Sequence, residues 1–156
     1  MRRLIFIAFA AGLAAGAAQA AETASPSAAA NAAAALQAQL PSSPVEVALV
    51  EEKEGWVFRR FPTRHRLYTY DADPAGQSVC VDGCAYRWPP LIAPADAKPV
   101  GDWTPIMRTD HRLQWAYKGK PVYARYHDDP DNPGSLGTEP GWRIMPHQTL
   151  AQMIAH

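Results

Sequence analysis

The sequence has no excess of charge of either sign. Its 156 residues include 15 basic and 15 acidic side chains, and no basic cluster breaks that balance. Since nucleic-acid-binding surfaces are strongly basic, we predict that nucleic acid is not a partner. Beyond the N-terminal region the sequence also has no apolar run long enough to cross a bilayer. We therefore expect no transmembrane segment in the mature chain.

Recognisable catalytic motifs are missing as well. Neither Ser78 nor Ser135 lies in a G-x-S-x-G nucleophile elbow, and no glycine-rich loop of the phosphate-binding type is present. No pair of acidic residues has neighbours that would give its two carboxyl groups different pKa values, as acid–base catalysis requires. The sequence therefore favours a non-catalytic protein without a cofactor and leaves an enzyme as the weaker alternative.

The first twenty residues have the three parts of a secretory signal peptide. Arg2 and Arg3 are positively charged, residues 4–18 are apolar but short for a membrane span, and residues 18–20 form a small-x-small cleavage site. We predict cleavage after Ala20. No cysteine lies near the cleavage point to carry a lipid, which predicts a soluble periplasmic or secreted protein.

The sequence contains only two cysteines, Cys80 and Cys84. Their C-x-x-x-C spacing is neither the C-x-x-C of redox sites nor the C-x-x-C-H of haem attachment. In an exported protein two cysteines are expected to pair. We predict a structural disulfide whose short loop contributes roughly 2 kcal/mol.

A change in composition marks the start of the folded domain. Residues 21–43 are rich in Ala, Ser and Pro and contain no aromatic residue. The alanine-rich run 28–36 has helix propensity but almost no apolar face to pack, so we predict a flexible tether over residues 21–43. All five Trp and all six Tyr follow, which places the domain at residues 44–156.

Short runs of β-branched and aromatic residues, bounded by Gly, Pro or charge, recur through this domain. They predict strands at residues 45–50, 56–61, 67–70, 103–108, 113–117 and 122–126. Long proline-rich loops separate these runs, and only residues 149–155 have helical character. We predict a small, mostly β single domain of antiparallel strands with a short C-terminal helix.

Similar short patterns recur about 55 positions apart. Tyr123 follows Tyr68 by 55 positions, and Trp142 follows Trp88 by 54. Two nearly equal offsets predict two related β units, because a solenoid would need three or more copies.

The clearest motif is Tyr68-x-Tyr70-x-x-Asp73, which precedes a Pro/Gly turn and has an echo at Tyr123 and Asp128. On a strand, Tyr68 and Tyr70 point to the same face because side chains alternate. One interpretation is structural: the aromatic rings pack, and Asp73 accepts backbone N–H groups in the turn. The other is a ligand surface of aromatic faces and an acceptor, suited to a sugar, a peptide or a planar ligand.

Further unusual patterns follow this motif in order: Cys80-x-x-x-Cys84, Trp88-Pro89-Pro90, Gly101-Asp102-Trp103 and the run 114–123. Together, from about residue 55 to residue 145, they resemble the bacterial secreted-repeat lipoproteins defined by a Y-x-(F/W/Y)-x-x-D motif. The resemblance implies an exported, internally duplicated protein of a family whose function is unknown. The chain departs from the family pattern by lacking a lipid-carrying cysteine, and by having Arg125 where the second motif requires an aromatic residue.

We predict a non-catalytic module that binds an unknown small molecule, a cell-envelope component or a periplasmic protein. Its candidate binding residues come from the two motifs and the repeated tryptophans: Tyr68, Tyr70, Asp73, Tyr123, Asp128, Trp88 and Trp142. The alternative is a periplasmic copper or haem redox protein with His127, Met145 and His147 as ligands. Imidazole and thioether groups are the soft ligands that suit copper.

Overall fold

The structure, a computed structural model, describes residues 26–129 and 139–154. The signal peptide predicted for residues 1–20 lies outside these ranges, as does the start of the predicted tether. In the part of the chain that is described, no helix is both long and apolar enough to span a membrane.

Seven strands and three helices are present in the described residues. In chain order they are α1 (Pro26–Gln39), β1 (Val47–Glu52), β2 (Gly55–Arg60), β3 (Tyr68–Tyr70), α2 (Asp82–Arg87), β4 (Trp103–Met107), β5 (Leu113–Tyr117), β6 (Lys120–Pro121), β7 (Trp142–Ile144) and α3 (Leu150–Ile154). The mostly β fold that the sequence predicts is confirmed, and so is the short helix near the C-terminus.

The strands form three small antiparallel sheets. β1 and β2 form a hairpin, β4, β5 and β6 form a three-stranded sheet, and β3 pairs with β7. The turn of the hairpin requires Gly55, whose φ is +126° and whose Cβ, if present, would lie 2.8 Å from the carbonyl oxygen of Gln148. A side chain there would be strained and would push the C-terminal segment away from the hairpin.

Apolar side chains from the β1–β2 hairpin and from the sheet of β4, β5 and β6 pack into one core. Phe58 on β2 and Trp103 on β4 meet edge to face with ring centroids 5.2 Å apart, and Met153 on α3 belongs to the same cluster. A second cluster consists mainly of aromatic residues: Tyr68, Cys80, Trp88, Tyr123 and Trp142. This second cluster contains four of the seven predicted binding residues. Whether these four side chains can reach a ligand therefore depends on how they pack.

The strand predicted for residues 122–126 is wrong. β6 is confined to Lys120–Pro121, and the segment after it makes only isolated bridges. Tyr123 bridges to Tyr68 on one side and to Pro90 on the other. The segment therefore fills the space between β3 and the proline-rich loop, and its alternating pattern does not correspond to a regular ladder.

A helix that the sequence does not predict carries the second cysteine. α2 has only six residues and includes Gly83, so it is too short to show helical periodicity. Cys80 and Cys84 form the predicted disulfide, with Cα atoms 5.2 Å apart. The bridge ties α2 to the segment that precedes it.

α1 covers most of the region for which a flexible tether is predicted. It is a 14-residue helix, and the side chains described along it are exposed. The helix forms because alanine has the highest helix propensity, even though the segment has little apolar surface to pack.

Candidate functional site

The tyrosine of each Tyr–Asp motif forms its side-chain hydrogen bond with the aspartate of the other motif, not with the aspartate of its own. The Tyr68 hydroxyl donates to Asp128 Oδ2 at 3.2 Å, and the Tyr123 hydroxyl donates to Asp73 Oδ2 at 2.7 Å. Between them, the backbones of the two tyrosines exchange two N–H···O bonds of 2.9 Å. Each motif therefore supplies the phenol that satisfies the carboxylate of the other motif.

These four residues lie in the interior. Both tyrosines are 0% exposed, and Asp73 and Asp128 are 2% and 3% exposed. The predicted ligand surface built on Tyr68, Asp73, Tyr123 and Asp128 is therefore corrected: these residues form a buried structural corner. Asp73 Oδ1 also accepts the N–H of Val79 at 2.8 Å, which is the backbone role that the structural interpretation assigns to this residue.

A chain of polar side chains connects the first corner to a buried arginine. Arg108 Nη1 donates to Ser78 Oγ at 2.7 Å, and Ser78 Oγ lies 2.8 Å from the Tyr123 hydroxyl. Because Tyr123 gives its single proton to Asp73, the serine is the donor in that contact. The chain thus runs from the Arg108 guanidinium through the Ser78 and Tyr123 hydroxyls to the Asp73 carboxylate.

Burial sets the proton affinity of these groups. It raises the pKa of the Tyr68 hydroxyl to about 12, and the neighbouring Asp128 carboxylate acts in the same direction. Burial also raises the pKa of Tyr123 and of the Asp73 carboxyl, although the bonds from Val79 and Tyr123 oppose the shift at Asp73. Both phenols therefore stay protonated as hydrogen-bond donors at neutral pH.

The remaining predicted residues form a stack of flat groups. The rings of Tyr70 and Trp142 are 4.6 Å apart at 16°, and those of Trp142 and Trp88 are 3.9 Å apart at 6°. The Arg125 guanidinium lies 5.1 Å from the Trp88 ring centroid. Arg125 stands where the second motif requires an aromatic residue, and it covers Trp88 by a cation–π contact. Tyr70, at the equivalent position of the first motif, covers Trp142 by stacking.

This stack forms one wall of a cleft of about 340 Å³. Glu139 lies opposite Arg87, with both carboxylate oxygens 3.3 Å from Arg87 Nη1. The same carboxylate is 3.4 Å from the Trp88 indole nitrogen and 3.6 Å from Arg125 Nη2. Glu139 therefore links the end of the stack to the charged rim of the cleft.

A second cleft of about 560 Å³ shares Gly83, Arg87 and Glu139 with the first. Its walls include Tyr86 and Tyr126, whose side chains are 72% and 46% exposed and whose ring centroids are 5.3 Å apart. We call the two adjoining hollows the joined clefts. They combine exposed aromatic surface with two arginines, Arg87 and Arg125, and one carboxylate, Glu139.

Sequence reasoning identifies Tyr70, Trp88 and Trp142 at this location as binding candidates, and His127 as an alternative metal ligand. It misses the cleft residues Tyr86, Arg87, Tyr126 and Glu139, which come from α2 and from loops with no motif of their own. One feature of the sequence points to this site: Arg125 stands at an aromatic position of the second motif, and guanidinium and aromatic groups both cover a tryptophan face.

The predicted copper or haem ligands have different neighbours. The His127 ring lies against the Tyr126 ring, with centroids 4.1 Å apart and planes tilted by 54°, whereas His147 Nε2 is 2.9 Å from Glu52 Oε2. Met145 is 4% exposed and belongs to the main core. The structure does not gather His127, Met145 and His147 into one ligand set.

A scan against family models, a search of curated proteins and a search of solved structures each found no match to this chain. Inference about function therefore rests on the residues of the clefts themselves.

Proposed function

We propose that this protein is an exported, non-catalytic module that binds a small polar ligand with one flat face, such as a sugar unit of a cell-envelope glycan. The pattern of residues 1–20 supports export to the periplasm or beyond the cell. The resemblance to secreted-repeat lipoproteins supports the same compartment. The ligand surface in this proposal is the joined clefts, not the buried Tyr–Asp corners.

The observation that carries the proposal is the exposed pair Tyr86 and Tyr126 beside Arg87 and Glu139. Two large rings left exposed at a concave surface are typical of a binding site. The rings offer apolar faces to the flat side of a sugar ring. The guanidinium offers hydrogen-bond donors to its hydroxyl groups, and the carboxylate offers acceptors.

The pairing of the charged groups supports binding rather than catalysis. Glu139 is paired with both Arg87 and Arg125, and the Arg87 and Glu139 side chains are partly exposed. Asp73 and Asp128 are each held by a tyrosine in the interior, where they stabilise the fold. None of these groups is a nucleophile positioned next to a general base, which is the arrangement that covalent catalysis needs.

We also infer that the domain consists of two related halves. Tyr and Asp recur at the same offset of 55 positions, from Tyr68 to Tyr123 and from Asp73 to Asp128. Their hydrogen bonds are reciprocal, as expected if the halves are related by an approximate twofold axis. The contacts of Arg125 with Trp88 and of Tyr70 with Trp142 follow the same offset and support the same inference.

The proposal is tested by native mass spectrometry followed by titration. The protein is purified from the exported fraction, and any retained organic ligand is identified by its added mass. A panel of soluble peptidoglycan fragments and neutral oligosaccharides is then titrated into the protein by calorimetry. We expect saturable binding of at least one member of the panel.

The variant Tyr86→Ala tests the location of binding. We expect roughly two- to tenfold weaker binding, because an aromatic contact contributes about 0.5–1.5 kcal/mol. Phe61→Ala is the matched control, since Phe61 is also an exposed ring at 57% but does not line the joined clefts. Equal losses in the two variants, or no binding to the whole panel, would contradict the proposal.

A further inference from the structure

We propose that Glu52, Glu54 and His147 form a binding site for one divalent transition-metal ion of the zinc type. Each residue offers one ligand atom, and these atoms lie within 4.8 Å of one another. His147 Nε2 is 2.9 Å from Glu52 Oε2 and 4.0 Å from Glu54 Oε2. Bonds of about 2.0–2.2 Å to a shared Zn²⁺ place ligands roughly 3–4 Å apart, so small side-chain movements suffice to coordinate an ion. The site is separate from the joined clefts and goes beyond the proposed function.

The backbone holds these three residues together before any ion binds. Glu52 ends β1, and Glu54 lies in the turn that leads into β2. His147 reaches this turn because its neighbour Gln148 exchanges two backbone hydrogen bonds with Trp56, of 2.7 and 2.9 Å. The close approach at Gly55 permits this pairing. A preformed site loses little conformational freedom on binding, which favours affinity.

Arg59 supports the carboxylate that would coordinate the ion. Its guanidinium bonds Glu52 Oε1 through Nε at 2.9 Å and through Nη2, which leaves Glu52 Oε2 directed to His147. Ligating carboxylates are commonly fixed in this way by an outer hydrogen-bond donor. The Arg59 side chain is 5% exposed, and its Nη1 has no hydrogen-bond partner among the described residues.

The chemistry of the donors selects the class of ion. Two carboxylates and one imidazole suit zinc and similar divalent ions, whereas copper in redox sites is held by thiolate or thioether sulfur. Two carboxylates close to one histidine repel each other unless a cation lies between them. Arg59 neutralises Glu52, whereas the Glu54 carboxylate lies 4.0 Å from His147 Nε2 and forms no ion pair with an arginine of the described residues. A divalent ion would neutralise the second charge.

The test is calorimetric titration of ZnCl₂ into the full chain, purified without a histidine tag and treated with a chelator. We expect saturable binding of one equivalent. Glu54→Gln should weaken it at least about tenfold, since the loss of even an outer-shell partner of a metal ligand costs 10- to 100-fold. The Glu54 side chain is 65% exposed, so this variant keeps the fold. Glu51→Gln is the control, because it removes the same charge from an exposed neighbour on β1.

His147→Gln provides a second measurement, with His65→Gln as its control for the loss of one imidazole. We expect His147→Gln to abolish the saturable binding of one equivalent of Zn²⁺, and His65→Gln to leave that binding unchanged. The inference is overturned by the absence of saturable binding, by binding that survives both Glu54→Gln and His147→Gln, or by an equal loss in Glu51→Gln. Zinc binding and glycan binding are measured separately, so the failure of one does not decide the other.

Discussion

Removing the hydroxyl of Tyr123 should destabilise the domain more than removing the hydroxyl of Tyr68. The Tyr123 hydroxyl donates to Asp73 at 2.7 Å and contacts Ser78 at 2.8 Å, whereas the Tyr68 hydroxyl makes one longer bond of 3.2 Å to Asp128. A hydrogen bond to a charged group contributes about 1.5–3 kcal/mol and a neutral one about 1 kcal/mol. We therefore expect Tyr123→Phe to cost about 3 kcal/mol, and Tyr68→Phe, whose longer bond also goes to a carboxylate, about 1.5 kcal/mol.

The difference arises from what each variant leaves buried. Tyr123→Phe leaves one oxygen of Asp73, 2% exposed, without the phenol that satisfies it. The free energy of unfolding is measured by urea titration with tryptophan fluorescence, keeping the disulfide oxidised. Ser78→Ala is a useful companion, because it removes the serine contact of the Tyr123 hydroxyl but leaves the phenol–carboxylate bond in place.

The reasoning is refuted if Tyr123→Phe costs no more than Tyr68→Phe, or if both lie within about 0.5 kcal/mol of the wild type, the usual range for changes away from structural features. A double-mutant cycle with Asp73→Asn isolates the pairwise contribution. We expect the coupling between Tyr123 and Asp73 to account for most of the loss in Tyr123→Phe.

Two further predictions concern the stack and the pH range. Arg125→Ala should cost about 1 kcal/mol of unfolding free energy through loss of the cation–π contact with Trp88, and Arg125→Tyr should retain more stability. Equal urea midpoints for the wild type and Arg125→Ala would argue against the contact. Because burial raises the Tyr68 pKa from 10.0 to about 12, the folded state favours the protonated phenol, and this stability is complete below pH 10 and is lost as the pH rises toward 12. Between pH 10 and pH 12 the free energy of unfolding should therefore fall by roughly 2–3 kcal/mol less in Tyr68→Phe than in the wild type. Parallel curves of unfolding free energy against pH for the two proteins would show the assignment to be incorrect.

Strands whose partners are close in sequence are predictable from residue patterns alone. The runs at 56–61 and 113–117 agree with β2 (Gly55–Arg60) and β5 (Leu113–Tyr117) to within one residue, because Gly or charged turns bound each of them. The run at 122–126 fails because its backbone bonds alternately to two partners that are distant in sequence. Hydrophobic alternation reports a buried face and does not report which neighbour completes the hydrogen bonds.

The candidate site was harder to predict for the same reason. The five-residue interval from Tyr to Asp identifies both corners, but their burial follows from an exchange of partners between residues 60 and 50 positions apart. Local sequence cannot show that exchange. The exposed rings Tyr86 and Tyr126 lie on a six-residue helix and in a turn, where no periodic pattern distinguishes a binding residue from an ordinary surface residue.

The reciprocal bonds between Tyr68 and Asp128 and between Tyr123 and Asp73 bear on how such a chain could arise. If the halves are copies, a single ancestral half would have had a buried carboxylate without the phenol that bonds it in the present chain. Two identical chains facing each other across a twofold axis would each have supplied the missing phenol, as isologous dimers do. Fusion of the two genes would then have turned an obligate homodimer into a monomer, and freed one copy of the motif to exchange its aromatic residue for Arg125.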